Sequence, residues 1–203
     1  MIGIIDYGVG NLASVKNAFA NIGRDSIVFD DPEHIMSFDR IILPGVGSFA
    51  TAMELLNLRR WPAAIHRFFR TGRPILGICL GMQLLMEDGN EGGKAKGLGL
   101  ISGEVITLQP NNKLRLPHVG WNSISINADH ALFRGIKNHV DYYFVHSFQC
   151  VPRYKDDIVA NCDYGGEFVA ALSHGNVFGT QFHPEKSQPH GLRLLDNFAE
   201  WVT

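Results

Sequence analysis

Pro74-Ile75-Leu76-Gly77-Ile78-Cys79-Leu80-Gly81-Met82-Gln83 is the stretch on which the reading of this chain turns. The apolar run from Pro74 to Ile78 reads as a buried strand, and a helix is expected to begin near Leu80. Cys79 therefore stands at a strand-to-helix turn, with Gly77 and Gly81 two residues to either side. This is the pattern of a nucleophile elbow with cysteine as the nucleophile. A residue at so tight a turn takes strained backbone angles, and small neighbours let the chain fold past itself. The free N–H groups at the helix start favour a thiolate over a thiol, and the N–H of Leu80 becomes a candidate oxyanion donor. The competing reading is a cysteine buried as a small hydrophobe between two turn glycines.

Outward from this turn, the first half of the chain alternates apolar runs with helical periodicity. Met1 to Asp6, Ser26 to Phe29 and Arg40 to Leu43 read as strands, and Leu12, Val15, Phe19 and Ile22 recur at helix spacing. Leu55, Leu58, Trp61, Ile65 and Phe68 suggest one or two further helices. Such βαβ alternation predicts a parallel sheet covered on both faces. After Gly97 the pattern becomes β-rich: Leu98 to Leu108, Trp121 to Ile126, Tyr142 to Phe148, Ile158 to Cys162, Phe168 to Ser173 and Val177 to Phe182. These are expected as antiparallel additions to the sheet, closed by an amphipathic helix through Leu192, Leu195, Phe198, Ala199 and Val202. The fold class is α/β with a mixed sheet, and a functional crevice is expected at the carboxyl ends of its parallel strands.

With 203 residues, 45% of them hydrophobic, the chain can bury one core, so residues 1–203 are expected to form a single domain. Eighteen Lys and Arg against twenty Asp and Glu give a formal charge of −2, which argues against nucleic acid as a partner. No apolar run approaches the roughly 18 residues of a membrane span, and MIGIIDYGVG has no basic leader region, so a cytoplasmic protein is expected. Cys79, Cys150 and Cys162 form neither an even set nor a CxxC pair, and read as reduced thiols.

A thiolate nucleophile works with a histidine, and the chain has nine. Gly179-Thr180-Gln181-Phe182-His183-Pro184-Glu185 is the most suggestive setting, because a strand ends at His183 and Glu185 can turn back to orient the imidazole. A zinc-deaminase reading of His-x-Glu fails for want of a PCxxC segment. His118 and His146 read as structural hydrogen-bonding groups. Pro44-Gly45-Val46-Gly47-Ser48-Phe49 either turns a backbone N–H into the crevice as a second oxyanion donor or is a plain loop with Ser48 as N-cap. A rival function rests on Gly8, Gly10 and Ala13, which satisfy GxGxxA after the first strand, with Asp30 twenty residues beyond Gly10: a dinucleotide-binding module.

Taken together, IIDYGVGN, LPGVGSF, GICLGMQLL, GLGLI, LPHVGWN, YYFVHSF and GTQFHPEKS span essentially the whole chain. It resembles the class I (triad) glutamine amidotransferases and, within them, the glutaminase subunits of imidazole glycerol phosphate synthases. DYGVGN with PHVGWN carries the narrower resemblance. That resemblance implies a flavodoxin-like three-layer core whose central sheet is mixed and mostly parallel. It also implies that Cys79 attacks the carboxamide of L-glutamine, His183 shuttles protons and Glu185 orients His183, with Val46 and Leu80 as oxyanion donors. Gly45, Gln83, Glu91, His146 and Ser147 would line the substrate site. No cofactor or metal is implied. The expected partner is a (βα)8-barrel cyclase subunit in a heterodimer, docked over Trp121, Asn122, Tyr143 and Lys186 and receiving the ammonia.

Overall fold

The computed structural model describes residues 1–111 and 114–202. In chain order the elements are β1 (Ile2–Ile5), α1 (Leu12–Asn21), β2 (Ser26–Phe29), β3 (Arg40–Gly45), α2 (Phe49–Leu58), α3 (Trp61–Phe69), β4 (Ile75–Cys79) and α4 (Leu80–Leu84). There follow β5 (Met86–Gly89), β6 (Ala95–Lys96), β7 (Ile101–Thr107), β8 (His118–Ile126), β9 (Asp141–His146) and β10 (Phe148–Pro152). The chain ends with β11 (Ile158–Asp163), β12 (Glu167–His174), β13 (Val177–Thr180) and α5 (Gln188–Glu200).

Among the described residues a nine-stranded sheet runs β2-β1-β3-β4-β13-β12-β11-β8-β9. Its first five strands are mutually parallel and the rest antiparallel. The apolar runs are continuous because the parallel strands are buried on both faces. On β3, Ile41 and Leu43 join Trp61 and Phe68 of α3 on one side, while Ile42 joins Phe19 of α1 and Phe198 of α5 on the other. Helices thus cover both faces of the parallel half, giving the three-layer flavodoxin-like α/β arrangement expected from the sequence.

Two expectations need correction. Val177 to Phe182 is not an antiparallel addition: β13 ends at Thr180 and is the fifth parallel strand, inserted beside β4 in register Gly179↔Gly77 and Thr180↔Ile78. Its four residues are all buried, as a strand enclosed on both faces requires. Nor do Leu98 to Leu108 and the end of Tyr142 to Phe148 extend the main sheet. The latter run breaks at Ser147 into β9 and β10, and β10-β7-β5-β6 form a separate four-stranded sheet. That sheet packs on α2: a Cβ at Gly89 would lie 2.6 Å from the Phe49 ring, so only glycine lets β5 come this close.

Candidate active site

β4 ends and α4 begins at the same peptide, so Cys79 must reverse the chain direction. It does so at φ 55°, ψ −110°, a left-handed conformation that costs a non-glycine residue about 1–3 kcal/mol and persists only where packing enforces it. The packing is tight: a Cβ on Gly77 would lie 2.7 Å from the Gly81 carbonyl oxygen, and one on Gly81 would overlap the Leu43 carbonyl. The short helix therefore lies directly on the sheet. Leu80, its first residue, has an N–H without an acceptor inside the helix, beside the sulfur.

The turn opens into a cleft of about 290 Å³ lined by Val46, Gly47, Cys79, Leu80, Gln83, Glu91, Pro117, Val145, His146, Ser147, Phe148 and His183. It lies beyond the carboxyl ends of β3 and β4. His183 reaches it because β13 lies next to β4 and the chain continues three residues past Thr180. Its backbone N–H donates to the Tyr143 carbonyl at 2.9 Å, tying it to β9. Glu185 Oε1 faces His183 Nδ1 at 2.8 Å, and both side chains are buried. His183 Nε2 is buried with no aligned hydrogen-bond partner and faces the Cys79 sulfur. Burial alone would discharge the imidazole. Hydrogen bonding to Cys79 and Glu185, and the negative charges there, outweigh that cost and push its pKa up to about 10.

Other sequence-designated residues fall into place around this core. Gly45 pairs with Cys79 across β3 and β4 and lies under the cleft rather than in its wall; a Cβ there would meet the Tyr7 hydroxyl at 2.8 Å. Val46 is 45% exposed at the mouth. Glu91 Oε2 accepts from the Phe49 N–H at 3.3 Å, and its carbonyl accepts from Ala50 N–H, so Glu91 caps α2. Ser48 occupies the N-cap position, but its hydroxyl bonds Thr51 instead. Burial raises the Glu91 carboxyl above its ordinary value.

His146 and His118 are buried and bonded to each other, Nε2 to Nδ1 at 3.1 Å. Burial holds both near a pKa of about 4, hence neutral, which agrees with a structural hydrogen-bonding part for each.

Outside the cleft, β8 and β9 pair in register Trp121↔Tyr143 and Val119↔Val145, so these four side chains share one face. Trp121 and Tyr143 meet edge to face at 6.0 Å, and Lys186 Nζ lies 5.5 Å over the Tyr143 ring. Asn122 alternates to the other face, where its amide donates to the Asp163 carbonyl at 2.8 Å. The structure thus brings Trp121, Tyr143 and Lys186 together and leaves Asn122 bracing a strand end. At the rival motif, Gly8 and Gly10 both have positive φ, and the space beside them is filled by Arg59 and Pro44. Asp30 is exposed past the end of β2.

A strained cysteine at an elbow, a buried histidine–carboxylate pair and a cleft of amino-acid size agree with the match of residues 3–201 to the family model described as glutamine amidotransferase class-I. The chain belongs to the class-I glutamine amidotransferases. The imidazole glycerol phosphate synthase subunit HisH of Sulfurimonas denitrificans is 45% identical to this amidotransferase, over 99% of this chain and 98% of its own. The protein of the same name from Moorella thermoacetica is 47% identical over 99% of this chain and 95% of its own. Among solved structures, the one titled PurLQS from Thermotoga maritima superposes with a TM-score of 0.80 at 18% identity, covering 100% of this chain and 98% of that one. A structure titled glutamine amidotransferase superposes with a TM-score of 0.76 at 18% identity, covering 98% and 97%.

Sequence reasoning left Gln181 without a role, although it was quoted in the run that holds His183. The structure puts its amide against the Cys79 sulfur. The available signal was its place two residues before His183, in the short run that follows β13.

Proposed function

We propose that this amidotransferase is the glutaminase subunit of an imidazole glycerol phosphate synthase, acting in histidine biosynthesis. The observation that carries the reading is the strained Cys79 at the cleft floor, faced by the buried His183–Glu185 pair. The two HisH relatives, similar over their whole length, support the choice of pathway.

In this mechanism the Cys79 thiolate attacks the side-chain carboxamide carbon of L-glutamine, and the carbonyl electron pair moves to oxygen. The N–H groups of Leu80 and Val46 are assigned to that oxyanion. His183, protonated at rest, gives its Nε2 proton to the departing nitrogen; the C–N bond breaks, ammonia leaves and a thioester remains. Neutral His183 then takes a proton from water as it adds to the thioester. Collapse expels the thiolate and releases glutamate. Glu185 keeps Nδ1 protonated so that Nε2 does the shuttling. Gln83, Glu91, His146 and Ser147 are assigned to the amino-acid head, with Gly45 supporting the loop from below. All the proton transfers use side chains of this chain, and the reaction is redox-neutral.

The ammonia is assigned to a (βα)8-barrel cyclase subunit seated on the face formed by Val119, Trp121, Tyr143 and Val145. Trp121 and Val119 are 48% and 57% exposed there, beside the cleft mouth, as an interface anchor would be in the free subunit. A cytoplasmic setting suits three unpaired cysteines. The test is Cys79→Ala in the reconstituted pair. Glutamine-dependent synthesis is expected to vanish while an ammonium salt still supports the cyclase step. Retained glutamine-dependent synthesis overturns the assignment.

A further inference from the structure

The identity of every atom in one buried hydrogen-bond chain can be worked out from a single backbone carbonyl. The Phe148 carbonyl oxygen can only accept, and it is approached by His146 Nδ1 at 2.8 Å and the Gln83 amide at 3.2 Å. His146 must therefore carry its proton on Nδ1, which leaves Nε2 to accept from His118 Nδ1–H at 3.1 Å. The Gln83 group facing Phe148 must be its NH2. That same nitrogen lies 3.0 Å from the end of the Gln181 side chain, so the Gln181 atom facing it is the oxygen. The remaining end of Gln181 is then its NH2, and it points at the Cys79 sulfur at 3.8 Å. A terminal amide that could have turned either way is locked with its donor on the nucleophile.

We propose that Gln181 is a positioning residue for the nucleophile: its amide N–H, held in place by Gln83, fixes the Cys79 sulfur as an acceptor and favours its charged form before glutamine arrives. The proposal rests on the reading of Cys79 as the nucleophile. It goes further by assigning a function to a residue that is not in the cleft wall. The sulfur has only one other hydrogen-bond partner among the described residues, the Val145 carbonyl at 3.8 Å, which can be satisfied only by an S–H. Val145 and Gln181 therefore favour opposite protonation states, and the amide opposes the carbonyl. Gln181 is fully buried, so no water can substitute for its donor. Around the sulfur the titratable groups are His183 past β13, Tyr7 past β1 and Cys150 on β10, with His146 and Glu91 in the cleft wall. Of these, only His183 has an N–H that faces the sulfur, and it makes no aligned hydrogen bond to it, so Gln181 is the one aligned donor among the described residues and one that cannot titrate.

The experiment is the pH dependence of Cys79 alkylation by iodoacetamide, read by mass spectrometry on the full chain, in wild type and in Gln181→Met. Methionine keeps the length and volume and removes the N–H. The midpoint is expected to rise by about one pH unit, a tenfold slower alkylation below it. In the pair with the cyclase, kcat for glutamine is expected to fall with KM little changed, because Gln181 does not line the cleft. If Gln181 only links β13 to α4, its loss lowers the melting temperature and leaves the alkylation midpoint where it was; that result overturns the proposal. Should Gln181→Met not fold, Gln83→Met frees the amide to turn, and a smaller shift in the same direction is expected; an unmoved midpoint there also overturns it. Cys79→Ala separates the two levels. Glutaminase activity surviving in that variant removes the proposed function, whereas an inactive Cys79→Ala with a wild-type midpoint in Gln181→Met removes only the part given to Gln181.

Discussion

Gly77→Ala tests whether the elbow is held by close approach alone. The residue lies in the middle of β4, paired with Leu43 on one side and Gly179 on the other, and its backbone conformation is one that alanine adopts freely. Any effect is therefore steric. The added methyl would lie 2.7 Å from the Gly81 carbonyl oxygen, 2.8 Å from its carbon and 2.8 Å from Leu85 Cδ1, where ordinary contact begins at 3.4 Å. The first two are backbone atoms of α4 and cannot rotate away, so the helix must lift by about 0.7 Å. Overpacking of this kind costs about 1–3 kcal/mol. For a chain of this size that is a fall of roughly 2–12 °C in melting temperature. The larger effect is expected on rate, since α4 carries Leu80 and adjoins Cys79, and a misplacement near 1 Å costs about a hundredfold. Differential scanning calorimetry and glutamine hydrolysis with the cyclase bound measure the two effects. A melting temperature within 1 °C of wild type together with kcat within twofold would refute the account of the turn.

Glu185→Gln keeps the shape at His183 Nδ1 but exchanges a carboxylate for an amide that can itself donate, so the imidazole loses the group that fixes its tautomer; kcat for glutamate release is expected to fall by about 10²–10⁴. Wild-type kcat would remove Glu185 from the triad. Burial, the largest cause in each case, pushes the Cys150 thiol far up and that of Cys162 to about 12. At pH 7.5 iodoacetamide is therefore expected to label Cys79 at least about tenfold faster than either, and comparable labelling would count against a poised sulfur. The pKa of His146 drops from 6.5 to about 4 on folding, chiefly through burial. The unfolded chain thus binds the extra proton first, and stability is lost as pH falls from 6.5 towards 4. Urea midpoints measured across that window should decline more steeply in wild type than in His146→Gln, and parallel curves would contradict the assignment.

The site was unevenly legible from the sequence. Cys79 and its flanking glycines announced themselves because an elbow is a local object, read in five residues. His183 and Glu185 were legible as a pair, since a strand end followed by His-Pro-Glu sets their spacing within three residues. Glu91 was expected at the substrate, and what the structure shows is that it caps α2 in place of Ser48. Asn122 was assigned to the docking face, but strand alternation turns its side chain to the opposite side. Val177 to Phe182 was expected as an antiparallel addition, although the buried character of its first four residues was that of an enclosed parallel strand.

The β-α alternation of the first half, the reversal at Cys79 and the family to which the chain belongs all follow from the sequence alone. Each depends on backbone sterics and apolar spacing within a window of ten or so residues. How His183 is carried to the sulfur by β13 lying beside β4, which strands leave the main sheet for a second one, and which end of the Gln181 amide faces the nucleophile were decided only by the folded chain. Those outcomes depend on register, burial and hydrogen-bond satisfaction between segments as far as 104 residues apart. No local pattern encodes them, because the free energy that selects them exists only once the layers have packed.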